Sequence, residues 1–197
     1  MESNDFNKEQ YNQNATKYIE SNVNREIGGI NIEERINLLK RYLPIGSSIL
    51  ELGSGDGKEA EMLLNAGYIV TASDFSEAFL NILKSKNIQA KYFDVTQDTP
   101  SKEYSCIYAN AVFVHISQKD FKDFLQRCKN NLSKRTMLFA TFLKGAGFER
   151  SSRGRGFERD FYYYKETVIE ELMSAVDFEV KHLKTVDDKW IWLVAQL

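Results

Sequence analysis

The segment Glu51-Leu52-Gly53-Ser54-Gly55-Asp56-Gly57 constrains this chain more than any other, because it stands between a short apolar run and a helical pattern. Ser48 to Leu52 reads as a strand, Gly53 to Gly57 as a turn, Lys58 to Ala66 as a helix and Tyr68 to Ser73 as a second strand. That is one βαβ unit. Glycines there let the backbone turn sharply and approach a ligand without a Cβ in the way, while the following helix offers unpaired N–H groups and a positive dipole end. Such a crevice fits a nucleoside. The dinucleotide fingerprint G-x-G-x-x-G fails because position 58 is Lys, and no G-x-x-x-x-G-K-[ST] loop for a triphosphate is present. NAD and ATP therefore lose ground.

The alternation continues along the chain, which signals a parallel sheet with helices packed on it. Ser76 is placed to cap a helix that turns Phe79, Ile82 and Leu83 inward; Ile88 to Phe93 and Tyr104 to Ala109 read as the third and fourth strands. Ser117 and Asp120 resemble a capping box ahead of the apolar face Phe121, Phe124, Leu125, Cys128 and Leu132. Arg135 to Thr141 reads as the fifth strand, followed by an irregular stretch to about Tyr164. Val168, Ile169, Leu172, Met173 and Val176 mark another helix, and Phe178 to Leu183 and Trp190 to Ala195 read as closing strands. The expectation is α/β with about seven strands.

Ahead of this core lie two helical stretches, one around residues 5 to 20 and one where Ile32, Ile36, Leu39 and Leu43 repeat at helical spacing before Pro44. There is no internal repeat and, with two prolines, no obvious linker. We therefore expect one domain over 1–197, in which 1–43 form a helical cap or lid and 44–197 the core.

The 26 basic and 28 acidic side chains are mixed along the chain, so no global field draws it to nucleic acid or membrane. Cys106 and Cys128 sit in apolar patterns, which fits core thiols of a reducing compartment and neither a disulfide framework nor a metal site. The polar start and the absence of about 18 consecutive apolar residues lead us to expect a soluble cytoplasmic protein.

Two acids accompany the glycine turn. Asp74 ends the second strand, about 20 residues beyond the turn, where a carboxylate that accepts from two vicinal hydroxyls is suited to a ribose. Asp94 ends the third strand at the same edge, able to accept from an adenine amino group. Each has a plainer alternative, Asp74 as a helix cap and Asp94 as a turn residue.

With these motifs the sequence resembles the class I S-adenosylmethionine-dependent methyltransferases, through Glu51 to Gly57, Ser73-Asp-Phe-Ser-Glu77, Phe93-Asp-Val95 and the run from Tyr104 to Ile116. The resemblance implies a Rossmann-like, doubly wound, mostly parallel sheet with helices on both faces and an antiparallel C-terminal strand. It implies that Gly53, Gly55 and Gly57 border the methionine and ribose of the donor, with Glu51, Ser54 and Phe75 in the same site. By the same likeness Asp74 binds the ribose, Asp94 and Val95 bind adenine, and Asn110 lies near the sulfonium. The segment from Tyr11 to Tyr18 is similar to a lid over the donor, whose product form is S-adenosylhomocysteine. One departure stands out: Tyr104-Ser105 replaces the acid usual near the start of the fourth strand.

Methyl transfer from a sulfonium is an in-line displacement in which positioning supplies much of the acceleration. His115 is the nearest candidate for a general base, against a structural role. Residues 144 to 164 interleave arginines with aromatics, so Arg155, Arg159 and Tyr163 are candidates to meet an anionic or planar acceptor, against a mobile solvated loop. The leading expectation is O- or N-methylation of a small molecule by a monomer or homodimer. Against it stand an RNA methyltransferase, because Arg159 to Tyr164 is loosely similar to a segment of tRNA wobble-uridine methyltransferases, and a non-catalytic donor-binding module.

Overall fold

A computed structural model describes residues 3–22 and 31–197. Part of the expected cap, residues 23–30, therefore lies outside the described residues. The N-terminal stretch contains two described helices, α1 (Ser3–Asn22), kinked at Asn14, and α2 (Ile32–Lys40), whose N-cap Asn31 accepts from the Glu34 amide. The core follows as β1 (Ser48–Leu52), α3 (Lys58–Asn65), β2 (Ile69–Asp74), α4 (Glu77–Ser85), β3 (Ala90–Tyr92) and β4 (Cys106–Ala109). After a single 3₁₀ turn at Phe113–His115 come α5 (Gln118–Asn131) and β5 (Met137–Lys144). The chain ends with β6 (Gly147–Ser151), β7 (Arg159–Tyr164), α6 (Glu166–Ala175), β8 (Glu179–Val186) and β9 (Trp190–Gln196).

The strands β3, β2, β1, β4 and β5 lie side by side and parallel in that order. Antiparallel β9 covers the far edge of β5 from Met137 to Leu143, and β8 pairs outside it with a bulge between Val180 and His182. The order reverses at β1, which has β2 on one side and β4 on the other. Doubly wound sheets bind ligands at that switch, beyond the carboxyl ends of the strands.

Alternating side chains feed two cores. Leu50, Leu52, Ile107 and Ala109 face α5 and α6 through Phe121, Phe124, Leu125, Ile169 and Met173. Ile49, Cys106 and Tyr108 face the other way, against Leu39, Ala60, Leu63 and Leu83 of α2, α3 and α4. A central strand buried on both faces requires helices on both faces. The expected caps form: Ser76 accepts from the Phe79 amide, and Ser117 accepts from the Asp120 amide while donating to the Asp120 carboxylate at 2.6 Å.

Two expectations need correction. The expected seven strands are present in the order β3-β2-β1-β4-β5-β9-β8, but the stretch expected to be irregular up to Tyr164 contains the hairpin β6–β7, which brings the sheet to nine strands among the described residues. Strand β5 is also displaced, running to Lys144 instead of ending at Thr141. The reason is the register. Ala109 pairs with Ala140, so β5 outruns β4, and since β9 occupies its other edge, β7 takes the vacated one by pairing Leu143 with Tyr163. The interleaved Arg, Gly and Phe of this segment hid the hairpin, since its pattern follows contacts with α1 and not simple alternation. The hairpin and α1 together stand over the carboxyl edge of the sheet.

Candidate active site

The tip of β1 is tied to the tip of β2 by a compact polar knot. Ser54 Oγ donates to the buried Glu51 carboxylate at 2.6 Å and accepts from the Ser73 amide at 3.0 Å, while Ser73 Oγ donates to the Glu51 carbonyl at 2.7 Å. Burial, reinforced by the nearby Glu59 carboxylate, pushes the Glu51 carboxyl up to about 8. Asp74 bridges two elements, its carboxylate accepting from the Gly55 amide at 3.0 Å and the Ser76 amide at 2.9 Å. Burial raises it to about 6 against the pull of those amides. A carboxylate has about four lone-pair sites, so even with the Phe75 amide also bonded it keeps capacity for a ligand.

The three glycines of the turn all have positive φ, 63° at Gly53, 54° at Gly55 and 81° at Gly57, but they serve different ends. A Cβ at Gly53 would strike Val112 Cγ2 at 2.7 Å, and one at Gly57 would strike Ile88 and Leu83 at 2.7 and 2.8 Å. Those two glycines make room for the protein itself. At Gly55 a Cβ would meet only Tyr18, at 3.9 Å, across the cavity.

That cavity has a volume of about 510 Å³. Glu51, Gly53, Ser54, Gly55, Asp74 and Phe75 line it on the sheet side, together with Val95, Asn110 and His115. Tyr11 and Tyr18 of α1 cover it, their rings meeting edge to face at 5.4 Å. Gly57 and Asp94 are not among its lining residues. The Asp94 carboxylate accepts from Thr96 (2.8 Å from its amide, 2.7 Å from its hydroxyl) and from Asn4 Nδ2 at 2.9 Å. Both alternatives weighed for Asp94 and Asp74 thus have a physical footing: Asp94 closes its own turn, and Asp74 bonds the first turn of α4 while still facing the cavity.

One cluster escaped the sequence reading. Glu59, in the first turn of α3, receives Arg35 Nη2 at 2.5 Å, the Tyr108 hydroxyl at 2.6 Å and Asn110 Nδ2 at 2.6 Å. Arg35 is 2% exposed on the inward face of α2. An arginine interrupting the apolar repeat Ile32, Ile36, Leu39 was the available signal, because charges are buried only when paired. The cluster places a carboxylate and a guanidinium on one wall of the cavity.

At the other wall the His115 Nδ1 lies 2.7 Å from the Asp160 carbonyl and its Nε2 lies 2.8 Å from the Tyr11 hydroxyl. A carbonyl only accepts, so Nδ1 carries the proton and Nε2 accepts from Tyr11. Burial lowers the imidazole to about 3.

A family model described as a methyltransferase domain matches residues 20–183. The chain belongs to this methyltransferase family. No curated protein matches the sequence of this S-adenosylmethionine-dependent methyltransferase. Solved structures match its fold. The 1,6-didemethyltoxoflavin-N1-methyltransferase of Burkholderia thailandensis, bound to 1,6-didemethyltoxoflavin and S-adenosylhomocysteine, is 14% identical with a TM-score of 0.74, covering 100% of this chain and 90% of that one. The magnesium protoporphyrin IX methyltransferase of Synechocystis with bound S-adenosylmethionine is 15% identical with a TM-score of 0.73, covering 100% and 97%. An S-adenosylmethionine-dependent methyltransferase of Methanosarcina mazei is 15% identical with a TM-score of 0.69, covering 81% and 96%.

In this methyltransferase the arginines of the hairpin are engaged within the protein. Arg150 pairs with Asp160 at 2.6 Å and lies over the Phe6 ring at 3.8 Å. Arg153 donates to the Tyr163 hydroxyl at 2.6 Å, and Tyr163 bonds Glu149. Arg155 binds Ser21 at 3.1 Å and Asn22 and stacks on Tyr18, pinning the end of α1. Arg159, 2% exposed, donates to the Ser152 carbonyl at 2.6 Å and is wedged between Phe157 and Phe161. None of Arg155, Arg159 and Tyr163 is among the residues that line the cavity. The hairpin builds the roof with α1. Among the described residues no helix is long and apolar enough to cross a membrane.

Proposed function

We propose that this methyltransferase transfers the donor's methyl group to oxygen or nitrogen of a small-molecule acceptor. The observation that carries the reading is the roofed cavity itself: α1 and the hairpin stand over the strand tips and leave about 510 Å³, space for the donor and a compact acceptor but not for a macromolecular face. The Burkholderia and Synechocystis proteins, whose fold it shares, are a 1,6-didemethyltoxoflavin-N1-methyltransferase and a magnesium protoporphyrin IX methyltransferase.

The lining fits S-adenosylmethionine, which supplies an electrophilic methyl on a sulfonium. Gly55 leaves backbone open to a ligand, Asp74 keeps lone pairs for vicinal hydroxyls, and Phe93 and Val95 offer an apolar slot for a base. The carboxylates Glu51 and Glu59 suit a positively charged ligand, with Arg35 alongside for a carboxylate. His115 holds Tyr11 in place across the cavity, and because its free lone pair is already occupied, rate acceleration rests on positioning. The hairpin guanidiniums point into the protein's own contacts, which leaves an RNA substrate without the basic track it requires.

The test is calorimetric titration with S-adenosylmethionine. Asp74→Ala is expected to weaken binding about tenfold or more, with circular dichroism as the folding control. Wild-type affinity in that variant removes the ribose assignment. A labelled-methyl screen against a metabolite library and against tRNA decides the acceptor class, and label found in tRNA alone overturns the small-molecule reading.

A further inference from the structure

Alanine rarely adopts a left-handed backbone, yet Ala111 has φ 55° at the point where the chain leaves β4 beside the glycine turn. Such strain persists only where neighbours hold it in place. The neighbour is Thr141, fully buried on β5. Because Ala109 and Ala140 are the last register partners of β4 and β5, Thr141 is the first β5 residue beyond the end of β4, alongside Asn110 and Ala111.

Its hydroxyl accepts from the Ala111 amide at 2.7 Å. An amide only donates, so the hydroxyl proton is left for Asn110 Oδ1, 2.8 Å away. That assignment turns the Asn110 NH₂ toward the Glu59 carboxylate, at 2.6 Å. Each link of the chain Ala111, Thr141, Asn110, Glu59 therefore pairs a donor with an acceptor, and the reversed amide would set carbonyl oxygen against carboxylate. Asn110, Ala111 and Glu59 all line the cavity, whereas Thr141 does not.

We propose that Thr141 is a positioning residue for the donor's amino-acid end, setting the Asn110 amide and the Ala111 turn through one hydroxyl. This rests on the donor-binding reading above. Valine has the same shape as threonine but neither accepts nor donates, so Thr141→Val frees the amide to flip and releases the turn. Serine keeps the hydroxyl.

The experiment is titration of wild type, Thr141→Val and Thr141→Ser with S-adenosylmethionine, with thermal melts alongside. Thr141→Val is expected to bind about tenfold more weakly, and Thr141→Ser within about threefold of wild type. Because glycine accepts positive φ without strain, adding Ala111→Gly to Thr141→Val should restore part of the affinity, which a general packing defect would not allow. Equal affinity of Thr141→Val and wild type overturns the positioning role while the donor reading stands. Equal weakening by valine and serine, with no recovery from Ala111→Gly, also overturns it. No binding to wild type sinks the donor reading first and the proposal with it. If Thr141→Val does not fold, Thr141→Ala in the Ala111→Gly background is compared with Ala111→Gly alone: weaker binding supports the positioning role and equal affinity overturns it.

Discussion

The phenol of Tyr11, on α1, donates a hydrogen bond to Nε2 of His115, the last residue of the 3₁₀ turn after β4, across a distance of 2.8 Å. Helix α1 is thereby tied to the wall of the cavity by a residue 104 positions away in sequence. The opposite ring nitrogen donates to the Asp160 carbonyl, which also accepts from Asn7 Nδ2 at 3.2 Å, so α1, β7 and His115 share one knot.

Removing the phenol oxygen leaves a half-buried imidazole acceptor unmet. Tyr11→Phe is expected to cost about 1–3 kcal/mol of stability, measured by urea unfolding with an unchanged m-value. A cost within 0.3 kcal/mol, taken as about the error of such a measurement, would show that the bond carries no weight.

Acidification should loosen the fold through His115. Its folded value of about 3 lies below the 6.5 of an ordinary imidazole, so between these the unfolded chain binds a proton that the folded one does not. Stability supplied by the neutral ring is present above 6.5 and is lost as pH falls toward 3. The ring is half-buried at the cavity, so the loss is put at about 1 kcal/mol between pH 6.5 and 5. Glu51 and Asp74 act in the opposite sense, their raised values favouring the folded state at low pH and losing that contribution as pH rises through about 8 and about 6. The difference between wild type and His115→Gln across this range isolates the imidazole, and parallel profiles would refute its part.

Donor affinity should climb between pH 6 and 7.5. Burial and Glu59 hold the Glu51 carboxyl up at about 8, and a bound cation favours its charged form, so binding releases a proton and strengthens as the proton becomes easier to lose. Calorimetry in two buffers of different ionisation enthalpy reads that proton directly. Glu51→Gln should abolish the release, and a release that survives the substitution assigns it elsewhere.

The glycines should separate stability from binding. Gly57→Ala meets Ile88 and Leu83 and a left-handed backbone at once, at an expected cost of about 3 kcal/mol. Gly55→Ala carries only the backbone penalty of about 1–2 kcal/mol but places a methyl in the cavity. Melting curves and donor titrations of the pair should therefore rank in opposite orders. The same rank in both would mean that the turn has a single role.

Where the sequence was read correctly, the signal was local. Strand β1, the glycine turn and α3 follow from hydrophobic period and from backbone freedom, and Ser76 and Ser117 cap their helices because a hydroxyl three residues before an amide reaches it directly. Arg159 shows the limit. Its neighbours in sequence suggested a loop reaching for an acceptor, while its position is set by Phe157, Phe161 and the Ser152 carbonyl inside a hairpin.

By itself the sequence determined the alternating strands and helices from β1 to β5 and the placing of Asp74 beside the glycine turn, since period and turn chemistry act within a few residues; the doubly wound sheet and the places of Glu51 and Asn110 came with the family resemblance. Tertiary structure alone decided that Gly53 and Gly57 serve packing, that Arg35 and Glu59 pair across α2 and α3, and that α1 closes on His115 and Asp160. Those contacts join residues 24 to 153 positions apart. No local period encodes them; they form only when the folded sheet and its helices bring distant segments together.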